Sequence, residues 1–75
     1  MGSWVIDADF DLVRADFEAL NETLRAARRR QVGMIIQYVT SGPQVVIVTP
    51  RHTVTYGTLA DARLALHAMW MIARL

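Results

Sequence analysis

The chain has 75 residues, 53% of them hydrophobic and 20% charged, with a formal net charge of +1 and no cysteine. That length holds one small domain, residues 1–75. The apolar excess excludes intrinsic disorder, the near-neutral balance gives no argument for a nucleic-acid or membrane-surface protein, and the lack of cysteine excludes disulfides, thiolate nucleophiles and cysteine-type zinc sites. No apolar run approaches the roughly 18 residues of a membrane span. The N-terminus carries acids and no basic segment, so no secretory leader is expected and a cytoplasmic location is.

Taken in chain order, Trp4-Val5-Ile6 is a short apolar run, read as a brief strand or a lid. Phe10, Val13, Phe17, Leu20, Leu24 and Ala27 then step by three and four, which predicts a helix from Phe10 to about Arg30. Gly33 stands where a helix-terminating glycine belongs. Met34 to Val39 is β-rich, and Thr40-Ser41-Gly42-Pro43 is turn chemistry. Val45 to Val48 is almost wholly β-branched and reads as a central strand buried on both sides. Pro50-Arg51-His52 breaks it. Thr53 to Tyr56 alternates, with Val54 and Tyr56 on one face, as a half-exposed strand does. After Gly57, Thr58 and Asp61 form a loosened capping box that opens a last helix running to the C-terminus. The order is (β)αβββα, a two-layer α+β domain in which two helices accompany a short three-stranded antiparallel meander.

The last helix carries two apolar stripes. Leu59, Ala62, Leu66, Met69 and Ala73 form the one expected to pack on the sheet. Leu64, Ala68, Met71 and Leu75, flanked by Ile72, lie on nearly the opposite side. Only Arg63, His67 and Arg74, with Trp70 at the edge, separate them. A helix apolar nearly all round is buried nearly all round. Below roughly 70–80 residues a lone core seldom supplies more than about 3–5 kcal/mol, and each buried leucine-sized side chain is worth roughly 1.5–3 kcal/mol. The expectation is a homodimer through Leu64, Ala68, Met71, Ile72 and Leu75. The alternatives are that the first helix wraps this stripe, or that a different protein covers it.

Charge is unevenly placed. Six of the seven acids are Asp7, Asp9, Asp11, Asp16, Glu18 and Glu22, interrupted only by Arg14, and Arg25, Arg28, Arg29 and Arg30 follow. Acids at a helix start and cations at its end complement the macrodipole. That accounts for Asp7, Asp9, Asp11 and the arginines, but not for mid-helix Asp16, Glu18 and Glu22. Asp11, Glu18 and Glu22 share one outward face. Two readings stand: a solvated helix, or a carboxylate surface of Asp9, Asp11, Asp16, Glu18 and Glu22 that docks on a basic partner. Arg25, Arg28, Arg29, Arg30 and Arg51 offer a third, contact with phosphate in a dimeric nucleic-acid-binding regulator. The chain has no basic recognition helix and no aromatic-and-basic sheet, which argues against direct nucleic-acid contact.

Candidate chemistry is thin. Asp7, Asp9, Asp11 and Glu18 fall at positions 1, 3, 5 and 12 of a calcium loop, but Leu12 occupies the place that needs glycine. His52 and His67 have no ligand companion three or four residues away. Ser3 and Ser41 sit in no nucleophile motif. A chain this short has little room for a pocket of about 300 Å³ or more. No enzyme activity, cofactor or metal is expected.

In size, element order and charge layout the chain resembles small phage-encoded inhibitors, anti-CRISPR proteins among them. Asp9, Asp11, Asp16, Glu18 and Glu22 carry the likeness. It implies a non-catalytic protein of the bacterial host cytoplasm that occludes a partner, blocking the target-DNA or PAM-reading surface of a CRISPR effector complex.

Overall fold

A computed structural model describes residues 8–75 of the chain. Asp7 and the Trp4-Val5-Ile6 run, read above as a strand or a lid, lie outside the described residues. Helix α1 spans Ala8–Ala26. Its apolar stripe is as expected: Val13, Leu20 and Leu24 are buried, with Phe10 and Phe17 packed beside them. The helix stops four residues before the expected end, and Gly33 does not cap it. The left-handed residue is Arg28, with φ 58°. Its N–H donates to the Arg25 carbonyl at 3.0 Å, and the Arg29 N–H donates to the Leu24 carbonyl at 2.8 Å. These two bonds close a Schellman motif around a residue that is usually glycine. Gly33 instead opens the first strand.

Strands β1 (Gly33–Val39), β2 (Gly42–Val48) and β3 (Thr53–Tyr56) form an antiparallel sheet in the order β1-β2-β3. Val39 pairs with Gly42, so the first hairpin turns on Thr40-Ser41, and Gly42 supplies the required positive φ of 123°. Pro43 is tolerated in the middle strand because β3 pairs only with Val45 to Val48, so the missing N–H costs no ladder bond on that side. The register places Met34, Ile36, Val45, Ile47, Val54 and Tyr56 on one face. The opposite face carries Ile35, Val46 and Thr55 in one cross-strand row, with Val39 and Val48 on the same side. This corrects the expectation that β2 is buried on both sides. Val45 and Ile47 are buried, but Val46 is half-buried and Val48 exposed, because both helices lie on the same face of the sheet.

Helix α2 spans Leu59–Ala73. Thr58 caps it, its hydroxyl accepting from the Asp61 N–H at 3.1 Å. Leu59, Ala62 and Leu66 enter the core, with Met69 and Ala73 packed against it, as the first stripe predicts. The meander runs down, up and down, so α1 and α2 point the same way. Asp16 of α1 meets Arg63 of α2, and Leu24 meets the Met69–Ala73 end. The result is an α+β domain of two layers, about 44 × 22 × 15 Å.

Candidate functional site

Three surfaces carry the residues singled out by sequence. The first is the outer side of α2. Leu64 is 71% exposed, Met71 56% and Ile72 63%; Leu75 is fully exposed and Ala68 lies exposed between them. α1 does not wrap this stripe. It packs on the other side of α2, where Arg74 lies 4.4 Å over the Trp70 ring and half-buried Trp70 packs against the core beside a shallow depression that it lines with Ala19, Thr23 and Ala26. Such cation–π stacking holds the last turn by roughly 0.5–1 kcal/mol and leaves Met71, Ile72 and Leu75 facing outward.

The second is the acidic side of α1. Asp11, Glu18 and Glu22 are exposed, as their shared face predicts, but the five-carboxylate surface is not assembled as expected. Asp16 lies on the flank toward α2, where its Oδ2 accepts from Arg63 Nε at 2.9 Å. The cause is angular: at 100° per residue position 16 is far from 11, 18 and 22. Asp9 belongs to the first turn of α1. Residues 8–26 are helical throughout, which leaves no loop for calcium.

The third surface was underread in the sequence. Arg29, Arg30, Arg51 and His52 come together around a groove of about 590 Å³ at the end of the molecule where both helices terminate. Its walls include Leu24, Val32, Met69, Ile72 and Ala73. So short a chain is expected to have little room for a pocket of about 300 Å³ or more; the groove exceeds that volume but is open to solvent and not enclosed. The groove forms because two parallel helices and the β2–β3 turn meet with no other described element between them. Of the arginines proposed for phosphate contact, Arg29, Arg30 and Arg51 line it; Arg25 and Arg28 are exposed but do not.

Two devices hold its rim. The Thr49 hydroxyl donates to the His52 carbonyl at 3.1 Å and accepts from the His52 N–H at 3.0 Å, and the Thr49 N–H donates to the same carbonyl at 2.8 Å. This pins the turn that carries Arg51. On the other side, buried Asn21 donates to the Val32 carbonyl at 2.9 Å and accepts from the Val32 N–H at 2.8 Å. The amide thus clips the far end of the segment bearing Arg28, Arg29 and Arg30 to α1. Sequence reasoning passed over Asn21. The available signal was a lone amide next to Leu20 in an otherwise apolar stripe.

Among the described residues no three His, Asp or Glu side chains cluster as a metal site, and no helix is long and apolar enough to cross a membrane. The one ion pair among them is Asp16–Arg63, so Arg29, Arg30 and Arg51 meet no carboxylate there. No protein-family model, curated protein or solved structure matches this chain.

Proposed function

We propose that this is a small non-catalytic binding protein that inhibits a partner by occluding its surface, assembled as a homodimer through the outer side of α2. The observation that supports it is the exposure of Leu64, Met71 and Ile72 on a well-capped, well-packed helix. Monomeric proteins rarely leave a contiguous apolar patch of this kind uncovered. Covering these three and Leu75 is worth roughly 1.5–3 kcal/mol each before the cost of association. Sedimentation equilibrium of the wild type and of a Leu64→Glu, Met71→Glu variant tests the assembly. The wild type should be dimeric and the variant a folded monomer by circular dichroism. A monomeric wild type at high concentration refutes it.

The resemblance to anti-CRISPR inhibitors supplies a specific target, the DNA-binding surface of a CRISPR effector complex. The carboxylates left for it are Asp11, Glu18 and Glu22, since Asp16 is engaged with Arg63. Target-DNA binding by the effector, measured by gel shift, should fall when this protein is added and recover when Glu18 and Glu22 are changed to Lys. Inhibition retained by that variant removes the acidic face from the mechanism.

The gathering of Arg29, Arg30 and Arg51 around one groove favours a second reading, a nucleic-acid-binding regulator. Its mark is direct DNA affinity that falls steeply with salt.

A further inference from the structure

We propose that the groove at the C-terminal ends of the two helices receives an acidic, aliphatic segment of a partner protein. Its carboxylates would lie on Arg29, Arg30 and Arg51, and its side chains on Met69, Ile72 and Ala73. This rests on the binding-protein reading above and names the chemistry of a partner segment; of the dimer residues it uses only Ile72.

Shape is the first support. The groove is open to solvent along its length and has a volume of about 590 Å³, which admits a few side chains of an extended segment. Chemistry is the second. The lining is aliphatic below and cationic at the rim, and contains no acid. Guanidinium forks match carboxylates in a bidentate way.

Cations at helix ends have an ordinary explanation, which sets the scale of the argument. Two helix C-termini bring roughly −0.5 charge each, about −1 together. Three guanidinium groups more than offset this, so the rim stays positive. Arg51 in addition belongs to the β2–β3 turn and caps no helix. The backbone of the rim is also fixed in advance, by the Thr49–His52 bonds on one side and the Asn21 clip on the other, so binding has to order the arginine side chains but not the chain that carries them.

A nucleic acid fits this groove less well. Single strands are held by bases stacked on aromatic rings, and the groove is lined by no Phe, Tyr or Trp. Leu24, Val32, Met69 and Ile72 offer hydrocarbon, which leucine-type side chains cover. Ile72 is the one residue that the groove shares with the outer stripe of α2; Leu64, Met71 and Leu75 lie outside it.

The test is an NMR titration of the whole ¹⁵N-labelled chain with three probes. They are an acetylated peptide of repeated Glu-Leu-Leu units, its Lys-Leu-Leu counterpart, and a single-stranded oligonucleotide. The acidic peptide should shift the amides of Val32, His52, Met69 and Ala73, and the basic one should leave them in place. An Arg30→Gln, Arg51→Gln variant should fold normally and lose at least tenfold in affinity. Ile72→Ser should lose several-fold. Equal response to both peptides, no response to either, or full affinity in the arginine variant overturns the proposal. Displacement of the acidic peptide by the oligonucleotide, with steep salt dependence, overturns it in favour of phosphate. Sedimentation of the wild type keeps the two proposals apart. A wild type that binds the peptide but stays monomeric sinks only the dimer, and a dimeric wild type that ignores the peptide sinks only the groove.

Discussion

Leu64 and Leu66 are two residues apart on α2, have the same side chain and meet opposite fates. Leu66 is fully buried against α1 and the sheet, while Leu64 faces outward with Met71 and Ile72. The two sides of this helix are nearly equal in composition, so composition did not decide which one became core. The loop lengths decided it. Thr58 caps the helix directly after β3, and the described residues include no third helix to lay over the other side. An apolar face is therefore a demand for a neighbour, and here one of two demands is met within the chain.

The sharpest way to break this contrast is to truncate both leucines. Leu66→Ala should cost about 2–5 kcal/mol in urea denaturation, the range for emptying a packed leucine site. Leu64→Ala should cost under about 0.5 kcal/mol under dilute, monomeric conditions. Its cost should grow with protein concentration if the outer side is a dimer seam, because dimerisation then adds to stability by mass action. Equal losses at high dilution would mean that the outer side has a partner within the chain.

Asn21 extends the contrast to α1, where one polar residue sits inside an apolar face. Asn21→Ala strips both hydrogen bonds from the Val32 backbone. Leaving part-buried groups unpaired costs roughly 1–3 kcal/mol, and about 2 kcal/mol is expected here. Asn21→Asp should be no rescue, since a carboxylate accepts from the Val32 N–H but has nothing to donate to the carbonyl. Both variants should also loosen the segment carrying Arg29 and Arg30, visible as faster amide exchange at Gln31 and Val32.

How much of this was legible from sequence depended on the range of the interaction. Period-three-and-four spacing found both helices and separated Leu59, Ala62 and Leu66 from Leu64, Met71 and Leu75 correctly. Turn chemistry found the first hairpin, although only Thr40 and Ser41 form its turn and Gly42 and Pro43 already belong to β2, and alternation put Val54 and Tyr56 on one face. These features are encoded by residues a few positions apart. The open outer face of the sheet was misread, because a run of β-branched residues records β-propensity and not whether a second layer exists. The groove was invisible for a related reason. Arg29 and Arg51 are separated by two strands in sequence, and only the antiparallel meander brings them to one end. Asp16 was grouped with the wrong carboxylates because it was sorted by charge and not by helical angle.

The end of α1 offers a smaller effect of opposite sign. A left-handed, non-glycine residue costs roughly 1–2 kcal/mol, and glycine's extra freedom when unfolded returns roughly 0.5–1 kcal/mol of that. Arg28→Gly should therefore stabilise the chain by about 0.5 kcal/mol. Arg28 does not line the groove, so acidic-peptide affinity should stay unchanged. A loss of stability would place a favourable contact of the Arg28 side chain above its backbone strain.

The smallest expected effect sorts the two flanks of α1. The carboxylate of Asp16 and the guanidinium of Arg63 are both partly exposed, so solvent and side-chain entropy cancel most of their attraction. A double-mutant cycle of Asp16→Asn and Arg63→Gln should return a coupling of about 0.2–1 kcal/mol, weaker at high salt. The same cycle with Glu18→Gln in place of Asp16→Asn should return nothing measurable, because Glu18 lies on the solvent flank. Comparable coupling for both acids would mean that α1 can roll on α2. The acidic row would then have no fixed direction in which to face a partner. Coupling confined to Asp16 would instead leave Asp11, Glu18 and Glu22 as the carboxylates that α1 holds outward in one orientation.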